Sequence, residues 1–157
     1  MKIIVALVGA AATLAALTAS AQENAAPSQP AALPQQEPYQ PGLGEIMALQ
    51  QMRHIKLWFA GRAGNWPLAD YEIGELKEGF DDVGQLLGGE IVNEHVGAAL
   101  AGLQKVIDGK NGAAFTAAFD RLSAGCNGCH HALDHAFIVI RRPIALPYGD
   151  QSFVPRK

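Results

Sequence analysis

Cysteine is nearly absent from this chain. There are two in 157 residues, Cys126 and Cys129, so any thiol chemistry must use this one pair. No segment alternates apolar and polar residues in the manner of strands, so no sheet is expected. No basic stripe or aromatic platform is present, which sets nucleic acid aside as a partner. The one long apolar run, Ile3 to Leu17, is shorter than the roughly 20 residues a membrane span needs. There is no internal repeat. Large apolar residues are almost missing from Gln22 to Pro41, a stretch rich in Ala, Pro and Gln. Such a segment cannot bury enough surface to offset the entropy of ordering. Residues 22–41 therefore read as a disordered linker outside the fold. About 115 residues remain, enough for one domain.

What is present begins with a leader. Residues 1–21 have the form of a secretory signal peptide. Lys2 is the short positive region, Ile3 to Leu17 is apolar and Ala-rich, and Ala19-Ser20-Ala21 is an A-x-A cleavage site. The expectation is an exported, periplasmic protein with no stable membrane span after cleavage.

The two cysteines stand in Gly125-Cys126-Asn127-Gly128-Cys129-His130. This contains C-x-x-C-H, the pattern for covalent attachment of haem c. Two thiols must reach the two vinyl groups of one porphyrin. A histidine beside the second thiol must reach the iron from one face. On a helix, Cys126, Cys129 and His130 sit at i, i+3 and i+4 and project from one side. Asn127 and Gly128 are small enough to leave room for a ring edge. Two other uses of C-x-x-C stay open here. A redox disulfide of the thioredoxin kind wants a preceding strand, whereas a helical pattern precedes this motif. A zinc site wants two more ligands, which His131 and His135 could supply. Export favours the haem reading, because bacterial haem c is attached on the exported side of the membrane.

Four helical patterns follow the linker. The first runs from about Leu43 to Ala60, with Leu43, Met47, Gln50, His54 and Leu57 at spacings of three and four. Asn65 is the expected N-cap of the second, with Pro67 tolerated in its first turn. Ala69, Ile73, Leu76, Phe80, Val83 and Leu87 form its stripe, and Asp70, Glu72, Glu75, Glu78, Asp81 and Asp82 form an acidic face. The third spans about Glu90 to Ile107, with Val92, Val96, Ala99, Leu103 and Val106 inward. The fourth starts near Ala113 and runs through the cysteine motif to about His135. Short loops imply antiparallel neighbours, so the expected fold is an all-α, up-down four-helix bundle over residues 42–136. Residues 137–157 hold β-branched Ile138-Val139-Ile140, then Arg141-Arg142-Pro143 and two more prolines. They should form an extended tail packing on the bundle.

A four-helix bundle with C-x-x-C-H late in its last helix, behind an export signal, resembles the cytochrome c′ family and its Met-ligated low-spin relatives. The resemblance covers roughly Leu43 to His135, and its specific part is Cys126, Cys129 and His130. It implies that the cysteines bind haem, that His130 is the axial ligand, and that a first-helix residue meets the other face of the iron. It also implies pairing through the first two helices, hence a homodimer. The chain departs from the family in its short helices, its long tail and the histidine in its first helix. His54-Ile55-Lys56-Leu57-Trp58-Phe59-Ala60-Gly61, followed by Asn65-Trp66-Pro67-Leu68, also resembles a group of small exported cytochromes and brings no activity with it.

For the sixth position on the iron, the first helix offers His54 as candidate distal ligand and Met47 as the alternative. The two are seven residues apart and share a face, while Met52 lies off it. Trp58 is expected to pack against the ring or the core. His131, His135 and His95 read as surface groups. Arg53, Lys56, Arg141 and Arg142 are candidates for the haem propionates, with solvated charge as the plain alternative. The net charge is −3 and becomes one unit more negative without Lys2. The acidic second helix would suit a basic redox partner protein, and an ordinary solvated face explains it equally well. The expected function is electron transfer by one covalent haem c. The alternative is binding of NO or CO at an open or displaceable sixth position. A peroxidase-like enzyme would need a distal acid/base pair, which adjacent Arg53 and His54 supply poorly because neighbouring helix residues diverge. A carrier rather than an enzyme is expected.

Overall fold

The computed structural model describes residues 38–146 and 149–156. The leader over 1–21 and the linker up to residue 37 lie outside the described residues. Among the described residues there are four helices and no strand. The first is Leu43–Arg62 and the second Trp66–Leu87. The third covers 89–108, as α-helix Gly89–Val92, one π turn Asn93–Gly97 and α-helix Ala98–Asp108. The fourth is Gly112–Ala132. Consecutive helices pack side by side and the fourth returns against the first, which closes the all-α four-helix bundle.

Two asparagines make the short loops work. After the first helix, Gly64 takes φ 69°, and Asn65 N–H returns to Ala60 O at 2.9 Å. Asn65 then caps the second helix, its side-chain oxygen accepting from Leu68 N at 3.4 Å. After the third helix, Lys110 takes φ 50° and Asn111 N–H returns to Val106 O at 2.9 Å. Asn111 in turn caps the fourth helix through Ala114 N at 3.1 Å. Each asparagine thus closes one helix in a Schellman turn and opens the next.

The fourth helix ends earlier than its pattern suggests. Asp134 adopts φ 60°, His135 N–H bonds to His130 O at 2.7 Å, and Asp134 N–H bonds to His131 O at 3.3 Å. This is a third Schellman turn, built without glycine, so the sequence gives no stop signal there. The third helix also departs from expectation. Its buried residues are Val92, Val96, Leu100, Leu103 and Ile107. Leu100 and Ile107 are thus buried more deeply than the expected Ala99 and Val106, which are half-buried against the same core.

The two ends of the bundle differ. At one end Leu57, Ile73, Leu103, Ile107, Phe115 and Phe119 are almost fully buried. Each such side chain stabilises by about 1.5–3 kcal/mol. Trp58 lies over Phe119, ring centroids 4.9 Å apart, and Trp66 meets Phe115 edge-on at 6.1 Å. The other end is formed by the start of the first helix, the end of the second, the start of the third and the end of the fourth. A cavity of about 380 Å³ lies between them. The extended tail crosses the bundle: Phe153 is buried against Phe59, and Arg142 pairs with Asp120 of the fourth helix. No helix among the described residues is long and apolar enough to cross a membrane.

Candidate functional site

The cavity is the site, and the cysteine motif forms one of its walls. Cys126, Cys129 and His130 all line it. They do so because i, i+3 and i+4 fall on one helix face. The third helix comes close enough to frame them only because glycines flank the thiols. A Cβ on Gly125 would lie 2.4 Å from the backbone oxygen of His95, and one on Gly128 would lie 3.1 Å from His95 Nδ1. The π turn is therefore seated directly on the motif. The opposite wall carries the first-helix stripe Leu43, Met47, Gln50 and His54. Phe80, Val83, Val92 and Leu122 complete an apolar lining.

His130 is oriented by the tail. Its Nδ1 donates to the carbonyl of Ile138 at 2.9 Å. That bond fixes the Nδ1–H tautomer and leaves the Nε2 lone pair for a metal. Ile138 and Ile140 border the first cavity, Ile138 also open to solvent, while Val139 between them is the more exposed and borders the second cavity. Asn127, inside the motif, grips the same segment. Its Nδ2 donates to Ile140 O at 2.9 Å and its Oδ1 accepts from Ile140 N at 2.7 Å. The sequence reading missed these contacts. They run from side chain to backbone across a turn, and the residue pattern carries no signal for them.

His54 is buried, 4 % exposed, and stacks on Phe119 at 4.3 Å. Its Nε2 lies 2.8 Å from Ser123 Oγ, and Ser123 donates its one proton to Phe119 O at 3.2 Å. The histidine is therefore the donor, with its proton on Nε2 and its lone pair on Nδ1. Burial pushes its pKa down to about 4, so it is neutral at pH 7. His54 also borders a second cavity of about 240 Å³ under the tail, together with Arg141 and Arg142. Met47 is half-buried on the wall of the first cavity. Trp58 is not on that wall. It packs in the aromatic cluster, with the Arg62 and Arg142 guanidiniums each 5.7 Å from its ring centre.

The basic side chains divide. Arg53 pairs with Glu75 at 2.8 Å and donates to Glu75 O at 2.7 Å. Lys56 lies 3.9 Å from Glu72. Glu72 belongs to the face expected to be solvated, yet it is 2 % exposed, and burial raises its carboxyl pKa against the opposing pull of Lys56. Arg142 is held by Asp120, whose carboxyl it keeps below the usual range. Arg141 is exposed at the second cavity.

The arrangement limits the chemistry of the thiols. Cys126 and Cys129 are not bonded to each other. Apolar burial pushes the Cys126 thiol up to about 12 and raises Cys129, so both are neutral thiols in the metal-free protein. Among the described residues no three His, Cys, Asp or Glu side chains converge as a metal cage. His131 and His135 are both exposed. His135 nevertheless lines the same cavity as Cys126, Cys129 and His130, whereas His131 does not. Cys126, Cys129 and His130 present two sulfurs and an imidazole to a largely apolar cavity. Comparison with protein-family models, with curated proteins and with solved structures returns no match.

Proposed function

We propose that this chain is an exported c-type cytochrome that carries one haem c and serves electron transfer. The observation that carries the reading is the convergence of Cys126, Cys129 and His130 on one apolar cavity, with His130 presenting Nε2. Cys126 and Cys129 would form the two thioethers, and His130 would be the axial ligand. Bound there, the iron supplies a one-electron couple whose potential depends on ligand and burial. The apolar walls Phe80, Val83, Val92 and Leu122 would pack against the ring. Of the four candidate cations, Arg141 is the one that has no acidic partner among the described residues, and it borders the second cavity, where it would meet the haem carboxylates. Arg53 turns to Glu75, which gives no support to an acid/base pair with His54 and favours a carrier over an enzyme. The leader reading over 1–21 supports export to the periplasm, where haem c would be attached and where redox partner proteins would be met.

One observation favours the second reading, a protein that binds NO or CO. His54 Nε2 is engaged by Ser123, so a bound iron would not find that nitrogen free and would have Met47 or an open position opposite His130. Absorption spectra of the reduced protein with and without carbon monoxide test the choice. A six-coordinate spectrum that carbon monoxide does not change supports electron transfer. A high-spin spectrum that shifts at once supports gas binding.

A further inference from the structure

The tail touches the cysteine motif through three hydrogen bonds, and the haem reading above uses only one of them. Asn127 lies between the two cysteines. Its side-chain amide satisfies both backbone groups of Ile140, donating at 2.9 Å and accepting at 2.7 Å. The two partners also fix which way the amide points, because one is a carbonyl and the other an N–H. A doubly bonded residue in an extended segment sets register. A slip of one residue would break both bonds and turn Ile138 and Ile140 to the opposite face. Two residues before this anchor, Ile138 O receives His130 Nδ1–H.

We infer that Asn127 is a positioning residue: by anchoring Ile140 it holds the Ile138 carbonyl on His130 Nδ1, and so sets the tautomer and donor strength of His130 Nε2. What Nε2 meets rests on the haem reading, whereas the anchor stands on the two hydrogen bonds between the Asn127 side chain and the Ile140 backbone. A histidine that gives its Nδ1–H to a carbonyl is a more basic ligand. A more basic ligand favours ferric over ferrous iron and lowers the reduction potential. The motif and the tail thereby form one unit, with the tail serving as the proximal wall.

The test uses full-length purified protein and two readouts. Amide hydrogen exchange is followed at Ile140 and at Val139, which is 69 % exposed. Ile140 should exchange much more slowly than Val139 in the wild type. Asn127→Ala should speed exchange at Ile140 by about tenfold or more, as two lost hydrogen bonds imply. The same variant should raise the reduction potential. Asn127→Asp keeps the acceptor for Ile140 N–H and should restore part of the protection. Equal exchange at Ile140 and Val139 in the wild type would overturn the anchor, even if the variants fail to mature. Faster exchange with an unchanged potential would reduce Asn127 to a purely structural role and overturn the inference. Protein that carries no covalent porphyrin would end the haem reading instead, and the exchange comparison would still decide the anchor.

Discussion

A glycine series measures how tightly the third helix sits on the cysteine motif. Gly125→Ala places a methyl 2.4 Å from His95 O and 3.2 Å from Val96 Cγ1. Ordinary contact needs about 1 Å more than the first of these. His95 O is a backbone atom of the π turn, so relief requires the whole turn to move. Overpacking of this kind costs about 2–3 kcal/mol. Replacing a mid-helix glycine by alanine returns about 1 kcal/mol. The net loss should be about 1–2 kcal/mol, a fall of roughly 4–8 °C in Tm for a domain of this size. Gly128→Ala meets His95 Nδ1 at 3.1 Å, a side-chain atom that can turn away, and should stay within about 1 kcal/mol of wild type. Gly74→Ala meets nothing within 4 Å and should gain about 0.5–1 kcal/mol. Denaturant unfolding of the three variants beside wild type is the assay. If Gly125→Ala stabilises the protein as Gly74→Ala does, the close seating of the π turn is refuted.

Three further outcomes follow from the site. Protein lacking the tether through Cys126→Ala and Cys129→Ala leaves the 380 Å³ cavity to collapse, so it should be less stable than the haem-loaded form by several kcal/mol; equal thermal midpoints would contradict this. His54 is neutral when folded down to about pH 4 but takes a proton below about 6.5 when unfolded. The unfolded chain then binds more protons, so stability is complete above pH 6.5 and falls by about 3 kcal/mol as pH drops to 4; His54→Gln should flatten that slope, and an unchanged slope would count against the burial argument. Ser123→Ala strands the His54 Nε2–H and should cost about 1–3 kcal/mol, measured by the shift in denaturation midpoint, with no loss expected if His54 bonds elsewhere.

The helical frame was readable because its signals are local. Apolar spacing marked the helices, and Asn65 and Pro67 marked the start of the second one. The stripe Leu43, Met47, Gln50 and His54 anticipated one cavity wall. What escaped was non-local or lacked a residue signature. The π turn at Asn93–Gly97 interrupts the third helix with only Gly97, its last residue, as a local mark. Asp134 ends the fourth helix in a conformation that glycine usually supplies. The acidic pattern placed Glu72 on the solvent face because the partner that tolerates it inside, Lys56, belongs to another helix. Trp58 shares a helix with His54, yet four residues and the neighbouring phenylalanines take it to the aromatic end. The link from the tail to Asn127 and His130 joins residues 8 to 13 apart across a turn, and no periodicity reports such contacts.

The central claim is a covalent bond between this chain and a porphyrin. Intact-mass measurement of the purified, denatured protein after acid extraction with organic solvent tests it most directly. The account predicts that one haem stays with the polypeptide through the extraction, and that Cys126→Ala with Cys129→Ala removes it. A mass equal to the bare polypeptide, with all colour in the organic phase or with no iron in the starting protein, would contradict it.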